Sequence, residues 1–318
     1  MWRPMCSTRL SKVGKAVLMS SSIAPSLQRV GVFCSQGGRD MDLGKVLGLG
    51  LGLMLWLCPG EMAQAAVLGA HPVTGVVAPA ASTPMEQLQE AGDRCLNLVQ
   101  LGRYEKAIAV CSRAIQLDEQ RPEPWLNRGL AFYRTGHFPQ ALADDTAVLT
   151  RHPQDFRGYY NRGLVQVALH DFEAAIADFD QAATLTADSN PLVDIYDDRG
   201  LAKLMAAHPQ AALRDFEAAL DLDAQDTRAW FNHSCACHQM GRLAEAIADL
   251  DQVLMLDPSH AQTYLKRGLI RRSLGDAPGA IADLHQAANC ARSQGQPQLH
   301  HYILTLLNEW QTSTAAVG

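Results

Sequence analysis

The chain has few β-branched residues, no apolar run long enough for a membrane span, and no excess of positive charge. Ala, Leu, Gln and Asp are plentiful where a sheet protein would carry Val, Ile and Thr, so helix is favoured over strand. The apolar stretch Val46–Leu57 has 12 residues, short of the about 20 that cross a bilayer. A formal charge of −6 argues against a general nucleic-acid binder. No nucleophile–base pair, phosphate-cradling loop or paired-carboxylate signature stands out, so no catalysis and no cofactor are expected. Hydrophobic content of 47% with 19% charged residues excludes wholesale disorder.

Acidic residues are absent from 1–39, which carry several serines with Arg3, Arg9, Lys12, Lys15, Arg29 and Arg39. Lys45, the apolar core and the small-x-small site Ala63-Gln64-Ala65 then follow in the order of a signal peptide. Cleavage before Ala66 is expected, with an uncleaved anchor as the alternative and the only membrane contact foreseen. Two readings of the first forty residues stay open: translation starting at Met41, or an organelle transit peptide ahead of an export signal. Both deliver the mature chain to a periplasm-like compartment or a thylakoid lumen.

What is abundant is repetition. "YNRGLVQVALHDFEAAIADF" (160–179) returns as "LNRGLAFYRTGHFPQALADD", "DDRGLAKLMAAHPQAALRDF", "FNHSCACHQMGRLAEAIADL" and "LKRGLIRRSLGDAPGAIADL". Gly129 to Gly163 and Ser234 to Gly268 are each 34 residues; Gly163 to Gly200 is 37. Six units result: 88–121, 122–155, 156–189, 193–226, 227–260 and 261–294. The three extra residues, Asn190-Pro191-Leu192, are expected in a turn between units. Position 8 of a unit is small (Cys95, Gly129, Gly163, Gly200, Ser234, Gly268) and position 20 is alanine throughout. Position 4 is Trp125, Tyr159, Tyr196, Trp230 and Tyr264 in units two to six. A fixed period of this length means stacked units rather than one closed core.

These positions resemble the tetratricopeptide repeat family. The resemblance implies an all-α, right-handed solenoid of six helix-turn-helix repeats, helix A at about positions 1–14 and helix B at about 18–31. It sets position 8 of helix A against positions 20 and 24 of helix B, so the small residue lets two backbones approach. Leu299, Tyr302, Ile303, Leu306 and Trp310 recur at helical spacing and suit a helix capping the last repeat. The expected organisation is a targeting segment (1–65), a flexible leader (66–85), the repeats (86–294), and a capping helix with its tail (295–318).

On the same frame, Cys95 and Cys111 hold positions 8 and 24 of the first unit, and a disulfide is expected between them; the alternative is two small buried thiols. Position 7 is Arg, or His once, and position 23 is Asp in units two to six. An ion pair from helix A to helix B is therefore expected. In "HSCACH", His233 and Cys237 share one helix face while Cys235 and His238 share another, so one helix cannot set all four around one ion. No metal site is assigned. "DLDAQD" lacks the glycine and glutamate of a calcium loop.

The family's usual partner surface is the concave layer of A helices, which implies a non-catalytic scaffold or assembly factor with a protein partner. A peptide-binding chaperone for exported or translocating chains is the alternative. The residues assigned to this groove are Asn127, Asn161 and Asn232, with Leu130, Leu164, Leu201 and Leu269 beside them. Tyr160 and Phe231 join them, and Arg157, Asp194, Asp197, Arg228 and Arg272 pattern the charge. The asparagines can both donate to and accept from a peptide unit; burial of the leucines by closure of the superhelix is the competing account. Every unit has Leu or Cys at position 9, which sets aside the subclass that clamps carboxylate termini with asparagine there.

Overall fold

The computed structural model describes residues 83–315. The expected signal core, the cleavage site and leader residues 66–82 lie outside them. Thirteen α-helices and no strand occur among the described residues. They pair as α1 (Pro84–Gln100) with α2 (Tyr104–Leu117), α3 (Pro122–Arg134) with α4 (Phe138–Arg151), and α5 (Phe156–Ala168) with α6 (Phe172–Leu185). Then come α7 (Ser189–Met205) with α8 (Pro209–Leu222), α9 (Thr227–Gln239) with α10 (Leu243–Leu256), and α11 (Ala261–Ser273) with α12 (Ala277–Ser293). A last helix, α13 (Pro297–Ala315), stands alone. No helix of the described residues is long and apolar enough to cross a membrane.

Local chemistry sets the boundaries. Thr83 caps α1 by accepting from the Glu86 N–H, while the Glu86 carboxylate accepts from the Thr83 N–H. Asp155, Asp171, Asp226 and Asp276 cap later helices in the same way. The turn from A to B passes through a left-handed residue, glycine in the first, second, fifth and sixth pairs but His170 and Ala207 in the third and fourth. A side chain in that conformation costs about 1 kcal/mol or more. Asn190-Pro191-Leu192 do not lie in a turn. They form the first turn of α7, which is lengthened to 17 residues. Pro191 is accepted there because the first amides of a helix have no partner within it.

Within each pair, position 8 of helix A meets position 24 of helix B. A Cβ on Gly163 would stand 2.7 Å from Phe179, and one on Gly200 would stand 2.6 Å from Phe216. Both phenylalanines are fully buried. In the first pair the two positions are joined covalently: Cys95 and Cys111 form a disulfide across a Cα–Cα distance of 4.9 Å. Position 24 is apolar or sulfur-bearing in five pairs and carboxylic in one. Asp145 is fully buried, and neither oxygen finds a hydrogen-bond partner among the described residues. Burial, reinforced by the neighbouring Asp144 charge, holds its carboxyl well above the usual range.

A second contact runs one residue earlier, from position 7 to position 23. Arg128, Arg162, Arg199 and Arg267 each fork onto their aspartate, with Nε and Nη2 donating to the two oxygens of Asp144, Asp178, Asp215 and Asp283 over 2.6–3.0 Å. Each guanidinium also lies over the position-4 ring three residues back, Trp125, Tyr159, Tyr196 or Tyr264, at 5.0–5.7 Å. Three reach back to position 25 of the preceding pair, donating to Ser112, Asp180 and Asp251. In the fifth pair His233 takes this place, 2.8 Å from Asp249.

The helix A members of the first five pairs touch one another in succession, whereas each helix B packs chiefly on its own A helix and the next one. The A helices are therefore the inner layer. At the far end Leu299, Ile303 and Leu307 of α13 are buried against Leu284, Ala287, Ala288 and Ala291 of α12. Leu307 joins the stripe read from the sequence, while Tyr302, Leu306 and Trp310 flank it half-buried.

Two substitutions test this packing. Gly163→Leu drives a side chain into Phe179 and should cost about 1–3 kcal/mol in chemical denaturation, with partial recovery when Phe179→Leu is added. Asp145→Leu supplies the residue that the fifth and sixth pairs hold at position 24. It should stabilise the chain by about 1–3 kcal/mol near neutral pH. A raised folded-state pKa withdraws stability as pH climbs above the unfolded value, so the gain should be small near pH 4 and grow towards pH 8.

Candidate functional site

The residues assigned to the groove do sit on the inner layer, but they fall into two classes. The first is a polar knot between α5, α7 and α9. Arg228 opens α9 and reaches Asp194 and Asp197 on α7, each at 2.7 Å, with Asp198 at 3.6 Å. Asn232, one turn on, donates through Nδ2 to both oxygens of Asp197 at 3.0 and 3.1 Å. The Tyr160 hydroxyl donates to Asp198 at 2.7 Å. Asp197 is fully buried, and Asp194, Asp198 and Asn232 are nearly so.

Three aspartates around one guanidinium leave an excess of negative charge in a dry place. Burial, with the charges of Asp198 and Asp226, lifts Asp197 to about 7 against the opposing pull of Arg228 and Asn232. Burial also raises Asp198 and pushes the Tyr160 hydroxyl well above its ordinary value. Here the reading of Asp194, Asp197, Arg228 and Asn232 as exposed groove groups is corrected. They satisfy each other, because an aspartate pair at positions 2 and 5 of the fourth repeat faces the arginine and asparagine at positions 2 and 6 of the fifth.

The second class is the leucine row at position 9, whose exposure changes along the array. Leu130 and Leu164 are 7% and 5% exposed and belong to a core shared with Tyr160, Val167 and Ile195. Leu201 is half-buried, and Leu269 is 41% exposed. Phe231, at position 5 of the fifth repeat, is half-buried as well. The row is therefore covered in the second and third repeats and open towards the end, while Leu96 of the first repeat is half-buried. Among the other asparagines, Asn127 and Asn161 are 3% and 7% exposed, so they line no open ladder. The carboxamide oxygen of Asn161 finds no partner among the described residues. Arg157 is held by its own cap residue Asp155 at 2.7 Å and lies 3.6 Å from Glu123 of the preceding repeat. Arg272 rests over Trp310 of α13 at 4.8 Å.

The cysteine in contact with His233 is not arranged as a nucleophile with its base. Cys237 is fully buried and, like Asp249, approaches His233 at Nδ1, so the imidazole cannot pass a proton between them.

The knot makes a pH prediction. An aspartate with a folded-state pKa near 7, above its unfolded value, stabilises the fold most below about pH 4 and loses that contribution as pH rises through 7. The melting temperature should therefore fall between pH 5 and pH 8. Asp197→Asn, which keeps the size and removes the titration, should flatten that slope when the two proteins are melted across the same series.

Comparison with known proteins agrees with the repeat geometry. A TPR repeat model matches residues 97–136, and tetratricopeptide repeat models match 126–190 and 227–260. The chain is 30% identical over 102 residues to serine/threonine-protein phosphatase 5 of Homo sapiens, covering 32% of this chain and 20% of the phosphatase. It thus spans about a fifth of the length of the curated relatives it matches first. Among solved structures it is similar to PilW, described as a widely conserved type IV pilus biogenesis factor, with a TM-score of 0.61 at 17% identity over 68% of this chain and 98% of that one. It is also similar to PilF of Pseudomonas aeruginosa, at 0.57 and 16% over 70% and 98%. Identities this low speak for the fold alone. With its family matches and six helix pairs among the described residues, the chain carries tetratricopeptide repeats and has the all-α tetratricopeptide repeat fold.

Proposed function

We propose that the protein is a non-catalytic scaffold or assembly factor in an exported compartment, binding a segment of a partner protein along the inner helix layer. The observation that carries this reading is the opening of the position-9 row: Leu201 and Leu269 emerge, beside Phe231, where Leu130 and Leu164 are covered. Apolar side chains left out on a layer that is otherwise closed are what a partner's side chains would bury. The binding surface is thus the C-terminal half of the inner layer, from α7 to α11. The signal-like segment at the N-terminus supports an exported location.

Crosslinking with mass spectrometry in the native compartment tests the proposal. Leu269→Asp and Leu201→Asp should each lower partner recovery at least tenfold with the fold intact by circular dichroism. Met255→Asp, on the outer helix α10 where that residue is 68% exposed, should leave recovery unchanged. Recovery that survives all of these would move the surface to the outer helices or α13.

A further inference from the structure

The fifth repeat departs from the others where position 7 meets position 23. In repeats two, three, four and six, a guanidinium sits beside the aspartate, supplies fixed positive charge and occupies both of its oxygens. His233 has no fixed charge and makes one contact, Nδ1 to Oδ2 of Asp249 at 2.8 Å. One turn further, position 11 is Cys237, whose Sγ lies 3.7 Å from the same Nδ1. The imidazole nitrogen, the sulfur and the carboxylate oxygen all lie within 4.8 Å of one another.

One nitrogen, one sulfur and one carboxylate oxygen make a donor set suited to borderline divalent ions. Ordinary zinc bond lengths give tetrahedral ligand–ligand edges of about 3.4–3.6 Å. The nitrogen–sulfur edge is already close to that, and the nitrogen–oxygen edge needs to open by about half an ångström. The surroundings fit as well. Nε2, on the far side of the ring, lies 3.9 Å from Glu217, the position-25 residue of the preceding repeat. An outer carboxylate on the second nitrogen is the arrangement that fixes the tautomer of a metal-bound histidine. Nearby Arg242 is taken up by Glu245. His233 keeps 13% of its side-chain surface exposed beside the largely exposed Glu217, which gives an ion a way in.

We propose that His233, Cys237 and Asp249 bind a four-coordinate divalent transition cation of the Zn²⁺ class, with water as fourth ligand. The cation does for the fifth repeat what the guanidinium does for the others, clamping α9 to α10. Binding exchanges the Nδ1–Asp249 hydrogen bond for bonds from the metal to nitrogen, oxygen and sulfur, shifts the imidazole proton from Nδ1 to Nε2 beside Glu217, and releases the thiol proton to solvent. Cys235 and His238 stand on another face of α9 and take no part.

Cobalt titration of the chelator-treated full chain tests this, because Co²⁺ bound to a thiolate shows a near-ultraviolet charge-transfer band and intense visible bands when four-coordinate. One equivalent should produce both, and Zn²⁺ should remove them. His233→Arg, which installs the residue that the sister repeats use, should abolish the bands while circular dichroism and melting stay close to wild type. Cys237→Ala should abolish the charge-transfer band, and a Cys235→Ser/Cys290→Ser double variant should retain it. A wild-type chain without the charge-transfer band would overturn the proposal. So would a band that persists in Cys237→Ala or disappears in the double variant.

Discussion

The array hangs on one recurring contact, the guanidinium at position 7. It closes its own helix pair through a bidentate aspartate, covers the position-4 ring of its own helix, and in three repeats reaches the preceding pair. An exposed ion pair contributes little, but a bidentate fork shielded by an aromatic face loses less side-chain entropy and is screened less by salt. Its value is in geometry: it fixes the rotation of helix A against helix B and, through position 25, of one repeat against the last. The close approach at position 8 can then be met by a phenylalanine, which needs that rotation held to within a fraction of an ångström.

Against this regular frame the exceptions become readable. Asp145 occupies an apolar place in the second repeat, and the knot around Arg228 gathers three carboxylates in the middle of the array. Both cost stability when ionised, and neither is required by the repeat. Both lie in or against the inner layer. Stability has thus been given up in the centre of the chain, while the ends are reinforced by a disulfide and by α13. The result is an array whose middle responds to pH.

How far the sequence could be read follows from what sets each feature. Helix pairing, the small residue at position 8, the Arg–Asp forks and Cys95–Cys111 all depend on spacing within one repeat, and spacing is visible in a string. Burial along the inner layer depends on how tightly successive repeats close, and that accumulates over many contacts, so Leu130 and Leu269 look alike in the sequence and differ in the fold. The same limit hid the knot: Asp194 and Arg228 hold the same repeat position 34 residues apart, and only their approach across the layer shows that each neutralises the other. The placement of Asn190-Pro191-Leu192 failed for a local reason, since proline was read as a breaker where it opens a helix. In "HSCACH" the face shared by His233 and Cys237 was legible, but the third donor arrives from α10.

The first repeat has no fork, and unlike the fifth no histidine–aspartate contact in its place: Arg94 faces no aspartate, because position 23 is Val110. A covalent bond between positions 8 and 24 stands in its place. A linear array opens most readily from an end. A crosslink closing a loop of this size restrains the unfolded hairpin by about 3 kcal/mol. Oxidised, the array should unzip from its C-terminal side, with the N-terminal hairpin the last to exchange its amides. Reduced, that hairpin has neither fork nor crosslink, and the order of opening reverses. The direction in which this chain comes apart, and hence the face it first surrenders to a protease or a chaperone, is set by the redox state of one cysteine pair.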